Sequence, residues 1–178
     1  MILFLVGKDR PGIVDEVSSL FFENGANIED SRMATMGGCF SIMTLFSYTS
    51  GQLAAIKTGV KGLEAEGFDT SLHKAEDPSA FPCRTELPFS IEVMAMDHPG
   101  IVQKVVHILH NHGVNIRSLD TQVTRAPLSG TPVFDLNLEA GIPEERSIAN
   151  MKQELNALAS EMNLDLTFKK LVRGNRSF

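Results

Sequence analysis

Residues 89–96 alternate with a period of two. Phe89, Ile91, Val93 and Ala95 fall on one side of an extended chain and Ser90, Glu92, Met94 and Met96 on the other, as in a strand with one buried face. The spacing then changes to threes and fours, with Val102, Val105 and Leu109 on one stripe, and predicts a helix ending at Gly113. A second strand opens near Asn115. A third sets Phe134, Leu136, Leu138 and Ala140 against Asp135, Asn137 and Glu139. Ile148, Met151, Leu155, Leu158 and Met162 predict a second helix, and residues 164–171 a fourth strand. The first half runs the same way. A strand over 1–6 precedes a helix bearing Val14, Val17 and Phe21 and ending at Gly25; a strand opens at Asn27, and the next carries Phe40, Ile42, Thr44 and Phe46. A helix with Leu53, Ile56, Val60 and Leu63 leads to a strand over 68–74, although Gly59 and Gly62 weaken that helix. The order is βαββαβ, twice. Two α+β domains of ferredoxin-like arrangement follow, each a four-stranded antiparallel sheet with both helices on one face.

The two halves also match in sequence. Asp9-Arg10-Pro11-Gly12-Ile13-Val14 recurs 88 residues on as Asp97-His98-Pro99-Gly100-Ile101-Val102, and Gly25-Ala26-Asn27-Ile28 recurs at the same offset as Gly113-Val114-Asn115-Ile116. Between Phe40 and Phe134 the offset is 94, so the second hairpin has gained six residues around 126–130. Such a repeat is a whole domain, too long for a solenoid unit of about 20–50 residues. The expected organisation is a domain over 1–74, a linker over 75–86 marked by Pro78 and Pro82, a second domain over 87–171 and a tail over 172–178. Domains this small bury only about 60% of their unfolded surface, so each is expected to lean on its twin or on a second chain.

Composition narrows the function. Hydrophobic residues make up 43% and charged residues 21%, Trp is absent, Tyr occurs once, and the net charge is −6 with neither half basic. That argues against direct nucleic-acid binding, which needs a cationic surface. Cys39 and Cys83 lie in unrelated places without a C-x-x-C spacing, so a reducing, cytoplasmic setting is expected rather than a disulfide. The apolar start at residues 1–6 is too short for a signal segment, and no membrane span is present.

The repeated turn carries the chemistry. Pro11 and Pro99 restrict φ near the helix start, while Gly12 and Gly100 leave backbone N–H groups unshielded. Free N–H groups at a helix start suit a carboxylate, and Asp9 and Asp97 just before them suit an ammonium. Asn27 and Asn115 open the second strand, expected near this turn, and complete a set fit for an α-amino acid. Each feature also has a purely structural reading, as an N-cap, a turn or a C-cap. His107, His110 and His112 read as a solvated helix face, and neither a metal nor a cofactor is expected.

The pattern Asp-x-Pro-Gly-Ile-Val followed by Gly-x-Asn-Ile resembles the ACT domain, a regulatory amino-acid-binding module, over nearly the whole chain. Two such domains with nothing attached resemble the glycine cleavage system transcriptional repressor family. The first repeat is also similar to the N-terminal domain of formyltetrahydrofolate deformylases, whose catalytic domain has no room here. The resemblance implies a ligand held between the loop after the first strand of one domain and the second-strand start of a neighbour. On this chain that means Asp9, Arg10, Gly12, Ile13, Asn27 and Ile28, with Asp97, His98, Gly100, Ile101, Asn115 and Ile116. It implies a non-enzymatic regulator that binds an amino acid such as glycine or serine and acts through a protein partner, with sheets pairing within a chain or in a homodimer. The alternative is a ligand-free scaffold. Arg10 against His98, and Asp30 against Ser118, mark where the two copies depart from each other.

Overall fold

The computed structural model describes residues 1–76, 86–127, 129–143 and 147–171. The chain divides into two units, Met1–Ala80 and Phe81–Phe178. The expected linker therefore lies outside the described residues over 77–85, with Cys83, and so does the tail over 172–178; Glu86 already belongs to a strand.

In the first unit the order is β1 (Ile2–Lys8), α1 (Ile13–Glu23), β2 (Asn27–Met36), β3 (Cys39–Ser47), α2 (Leu53–Ala65) and β4 (Asp69–His73). The second repeats it as β5 (Glu86–Met96), α3 (Ile101–Asn111), β6 (Asn115–Arg125), β7 (Pro132–Pro143), α4 (Ile148–Met162) and β8 (Asp165–Lys170). The sheets are ordered β2-β3-β1-β4 and β6-β7-β5-β8, with every neighbouring pair antiparallel. Both copies thus have the α+β, ferredoxin-like βαββαβ architecture.

The alternation explains the core. In β1, Leu3 and Leu5 are fully buried; in β5, Phe89, Ile91 and Val93 are. They meet one stripe of each helix: Val17, Phe21, Ile56 and Val60 in the first unit, and Val105, Leu109, Met151 and Leu155 in the second. Phe21 and Phe46 pack with their rings tilted at 37° and 4.5 Å between centroids, which pins α1 to β3. α1 ends in a Schellman turn, with Gly25 donating to Phe22 O and Ala26 to Phe21 O; Gly113 and Val114 repeat it after α3.

Periodicity did not announce one feature. Both second strands carry a bulge at the same place, Glu29 in β2 and Arg117 in β6, where the register skips. In β6 this puts Ile116 and Leu119, an odd three residues apart, on the same core-facing side, which a regular strand forbids.

The copies differ inside as well. Thr44 is fully buried, and its Oγ1 has no hydrogen-bond partner. The matching position in the second unit is Leu138, also buried. A buried hydroxyl without a partner costs about 1–3 kcal/mol. Thr44→Val keeps the shape and removes that cost, so it is expected to stabilise the first unit by about 1 kcal/mol. Tyr48, the one tyrosine of the chain, packs on that core and gives a local fluorescence signal for urea unfolding.

Candidate functional site

The two helix starts are open in the same way. Gly12 and Gly100 occupy the N-cap positions of α1 and α3 with φ of 94° and 101°, and neither helix has a side-chain cap. By contrast, α4 is capped by Ser147, whose hydroxyl accepts from Asn150 N at 3.4 Å. The Asp9 and Asp97 side chains are therefore not the caps of these helices, and Pro11 and Pro99 stand just outside the first turn rather than in it. The first helical N–H groups of α1 and α3 keep their partial positive charge facing outward. Each turn is tied to the adjacent connection by its backbone: Asp9 N donates to Gly38 O at 3.0 Å and Asp97 N to Pro132 O at 3.2 Å.

The remaining expected site residues separate into groups. Asp9, Gly12, Asp97 and Gly100 lie exposed at the turns. Ile13 and Ile101 are 2% exposed and belong to the cores, so only their backbone can meet a ligand. Ile28 is partly exposed, whereas Ile116 packs against the core of the second unit.

Asn27 and Asn115 are not near the turn of their own unit, contrary to expectation. Asn27 pairs with Ser47, and Phe46 N donates to Met1 O beside it, while the turn follows Lys8 at the far end, next to Cys39. Asn115 pairs with Gly141 in the same way. The reason is topological: the helix after the turn carries the chain back across the sheet, so the second strand starts where that helix ends. With a rise of about 3.3 Å per residue, β2 puts about 30 Å between the two places.

Arg10 and His98 behave differently. The Arg10 guanidinium forms a fork on Glu16 at 2.5 and 2.7 Å, reaches Glu66 at 2.9 Å and lies 5.3 Å from the centre of the Phe68 ring. It latches the first turn to α1, to the residue after α2 and to the approach to β4. His98 has only Pro99 O near its Nδ1, at 3.3 Å. The hydrogen bonds from Arg10 hold the Glu16 carboxyl below the ordinary glutamate range, and those to Glu16 raise Arg10. Glu16 went unnoticed in the sequence; its one available signal is the bare Arg-x5-Glu spacing across the turn.

His107 and His110 are exposed on α3, and His112 Nε2 meets Glu154 at 3.0 Å. Among the described residues no group of three His, Cys, Asp or Glu side chains is placed to hold a metal, and no helix is long and apolar enough to cross a membrane.

Fold and turns together define a tandem of two small α+β domains, and comparison with known proteins identifies them. Two ACT domain models match, one over residues 1–72 and the other over residues 89–159. The chain belongs to the ACT-domain family and is a regulatory protein rather than an enzyme. It is 27% identical over 165 residues to the glycine cleavage system transcriptional repressor of Escherichia coli, covering 92% of this chain and 85% of that one. The repressor of Shigella flexneri matches equally. Among solved structures, a protein of unknown function from Galdieria sulphuraria superposes with a TM-score of 0.82 at 26% identity, over 96% of this chain and 97% of its own. A candidate glycine cleavage system transcriptional repressor shares the fold, with a TM-score of 0.66 at 22% identity over 96% and 95% of the two chains.

The latch sets a pH response. A carboxyl with a depressed folded-state pKa stabilises the fold above its unfolded pKa and loses that contribution as pH falls through the folded value. Unfolding followed by Tyr48 fluorescence is thus expected to show the first unit weakening below the ordinary glutamate range. Glu16→Gln should flatten that part of the profile.

Proposed function

We propose that this chain is a cytoplasmic amino-acid sensor that acts on transcription through a protein partner. The observation that carries the reading is the pair of helix starts whose caps are left-handed glycines, with no side chain on the first N–H groups. An α-carboxylate fits those groups, and the adjacent Asp9 or Asp97 fits the α-ammonium. Glycine or serine is the expected ligand, as the family resemblance implies. The strand starts at Asn27 and Asn115 then serve a ligand shared with a neighbouring ACT domain, as the family resemblance implies, since each is remote from its own turn. Kinship with the glycine cleavage repressors supports the link to transcription. The net charge of −6 supports a protein partner in place of direct DNA contact.

The latch favours the second copy as the responsive one. In the first turn Arg10 is already engaged by two carboxylates, whereas in the second His98 carries no ion pair among the described contacts. Ligand binding would act by favouring one arrangement of the protein, within the limit of its differential affinity.

Isothermal titration with glycine and then serine tests this. Saturable heat is expected for the wild type and for Asp9→Ala, and its loss for Asp97→Ala at an unchanged unfolding midpoint. Folded wild-type protein that gives no heat with either amino acid would overturn the sensor reading in favour of a ligand-free scaffold.

A further inference from the structure

The duplication provides an internal control for the sheet faces that carry no helices. In the first unit this open face presents Ile2, Phe4 and Val6 from β1 beside Leu45 and Met43 from β3, in the register Ile2–Leu45 and Phe4–Met43. Phe4, Met43 and Val6 are 38%, 43% and 45% exposed. In the second unit the matching positions hold Ser90–Glu139 and Glu92–Asn137, with Met94 in place of Val6. The fold therefore accepts a polar open face, and the apolar one in the first unit has a purpose besides folding.

Charge identifies what covers it. The rim of the first face carries Asp30 ion-paired to Arg32 on β2 at one edge and Asp69 beside His73 on β4 at the other, one net negative charge. The second face is acidic, with Glu92, Asp120, Asp135 and Glu139 set against Lys169. For a chain of net charge −6, two copies repel each other generally. They meet at least cost where the surface is apolar and least charged.

We infer that the open face of the first sheet pairs with the same face of a second copy, about a two-fold axis parallel to the strands. Such an axis places β3 over the partner's β1 and β2 over the partner's β4, in the aligned sheet-on-sheet packing with about 10 Å between layers. Met43 then faces the partner's Phe4 and Leu45 the partner's Ile2, each contact occurring twice. At the rim Asp30 comes over the partner's His73 and Arg32 over the partner's Ser71, while Asp69 faces the partner's Ala34. The face measures roughly 450 Å² in plane, from strand spacings of about 4.8 Å and a rise of about 3.3 Å. Stable complexes bury roughly 800 Å² per partner, so this dimer is weak and forms with rising concentration.

Sedimentation velocity on the full chain, from micromolar to sub-millimolar concentration, tests the proposal. The wild type is expected to shift from monomer to dimer, and Met43→Glu to stay monomeric throughout. Ser71→Arg should weaken the dimer about tenfold, and Arg32→Asp added to it should restore it, because residues 71 and 32 face each other across the axis. Tyr48 fluorescence checks that each variant is folded; if Met43→Glu is not, the two exposed rim exchanges decide. A wild type monomeric at every concentration, a dimer indifferent to Met43→Glu, or a double exchange that fails to recover would each overturn it. None of these outcomes bears on amino-acid binding at the turns.

Discussion

In each unit the central strand is the constraint from which the rest follows. β1 and β5 hydrogen-bond on both sides to antiparallel neighbours, so their alternate residues have no freedom to turn away from the helix layer. Leu3 and Leu5, or Ile91 and Val93, must be apolar, and the helices must cross that face to cover them. Covering it from the end of the central strand obliges the next helix to run back. That return leaves the uncapped helix start at one end of the sheet and the second-strand start at the other.

The duplication shows which positions the fold holds and which it releases. The left-handed glycines at the caps, the Schellman turns and the bulges recur in both copies because backbone geometry requires them. Side chains that the backbone does not need have drifted: Arg10 against His98 at the turn, Thr44 against Leu138 in the core, and the apolar against the acidic open sheet face. The first turn is braced by a fork of charged groups, while its counterpart is left open. The two ACT domains are equal as scaffolds and unequal as surfaces.

The βαββαβ order, the core-facing residues, the helix-ending glycines and the repeated turn were all legible in the sequence, because each depends on the period of an element or on a residue with a special backbone preference. Phe134, Leu136 and Leu138 declare a buried strand face wherever that strand is placed, and Gly25 declares a helix end without reference to any neighbour. Relations between distant residues were not legible. Nothing local in β2 says that Asn27 ends about 30 Å from the turn it was expected to join, since that depends on the direction in which α1 returns. The bulges escaped notice because one added residue in a strand leaves no compositional trace.

The sequence by itself determined that this protein is two copies of one small α+β domain, with the same Pro-Gly turn in each, because periodicity and duplication are properties of the chain alone. Only the tertiary structure decided that Asp9 and Asp97 do not cap their helices, that Arg10 is locked by Glu16 and Glu66, and that Ile13 and Ile101 face inward. It also decided that the open face of one sheet is largely apolar while its twin is acidic. These are facts of proximity across the sheet, and proximity is created when the central strand takes its partners and the helices fold back upon it.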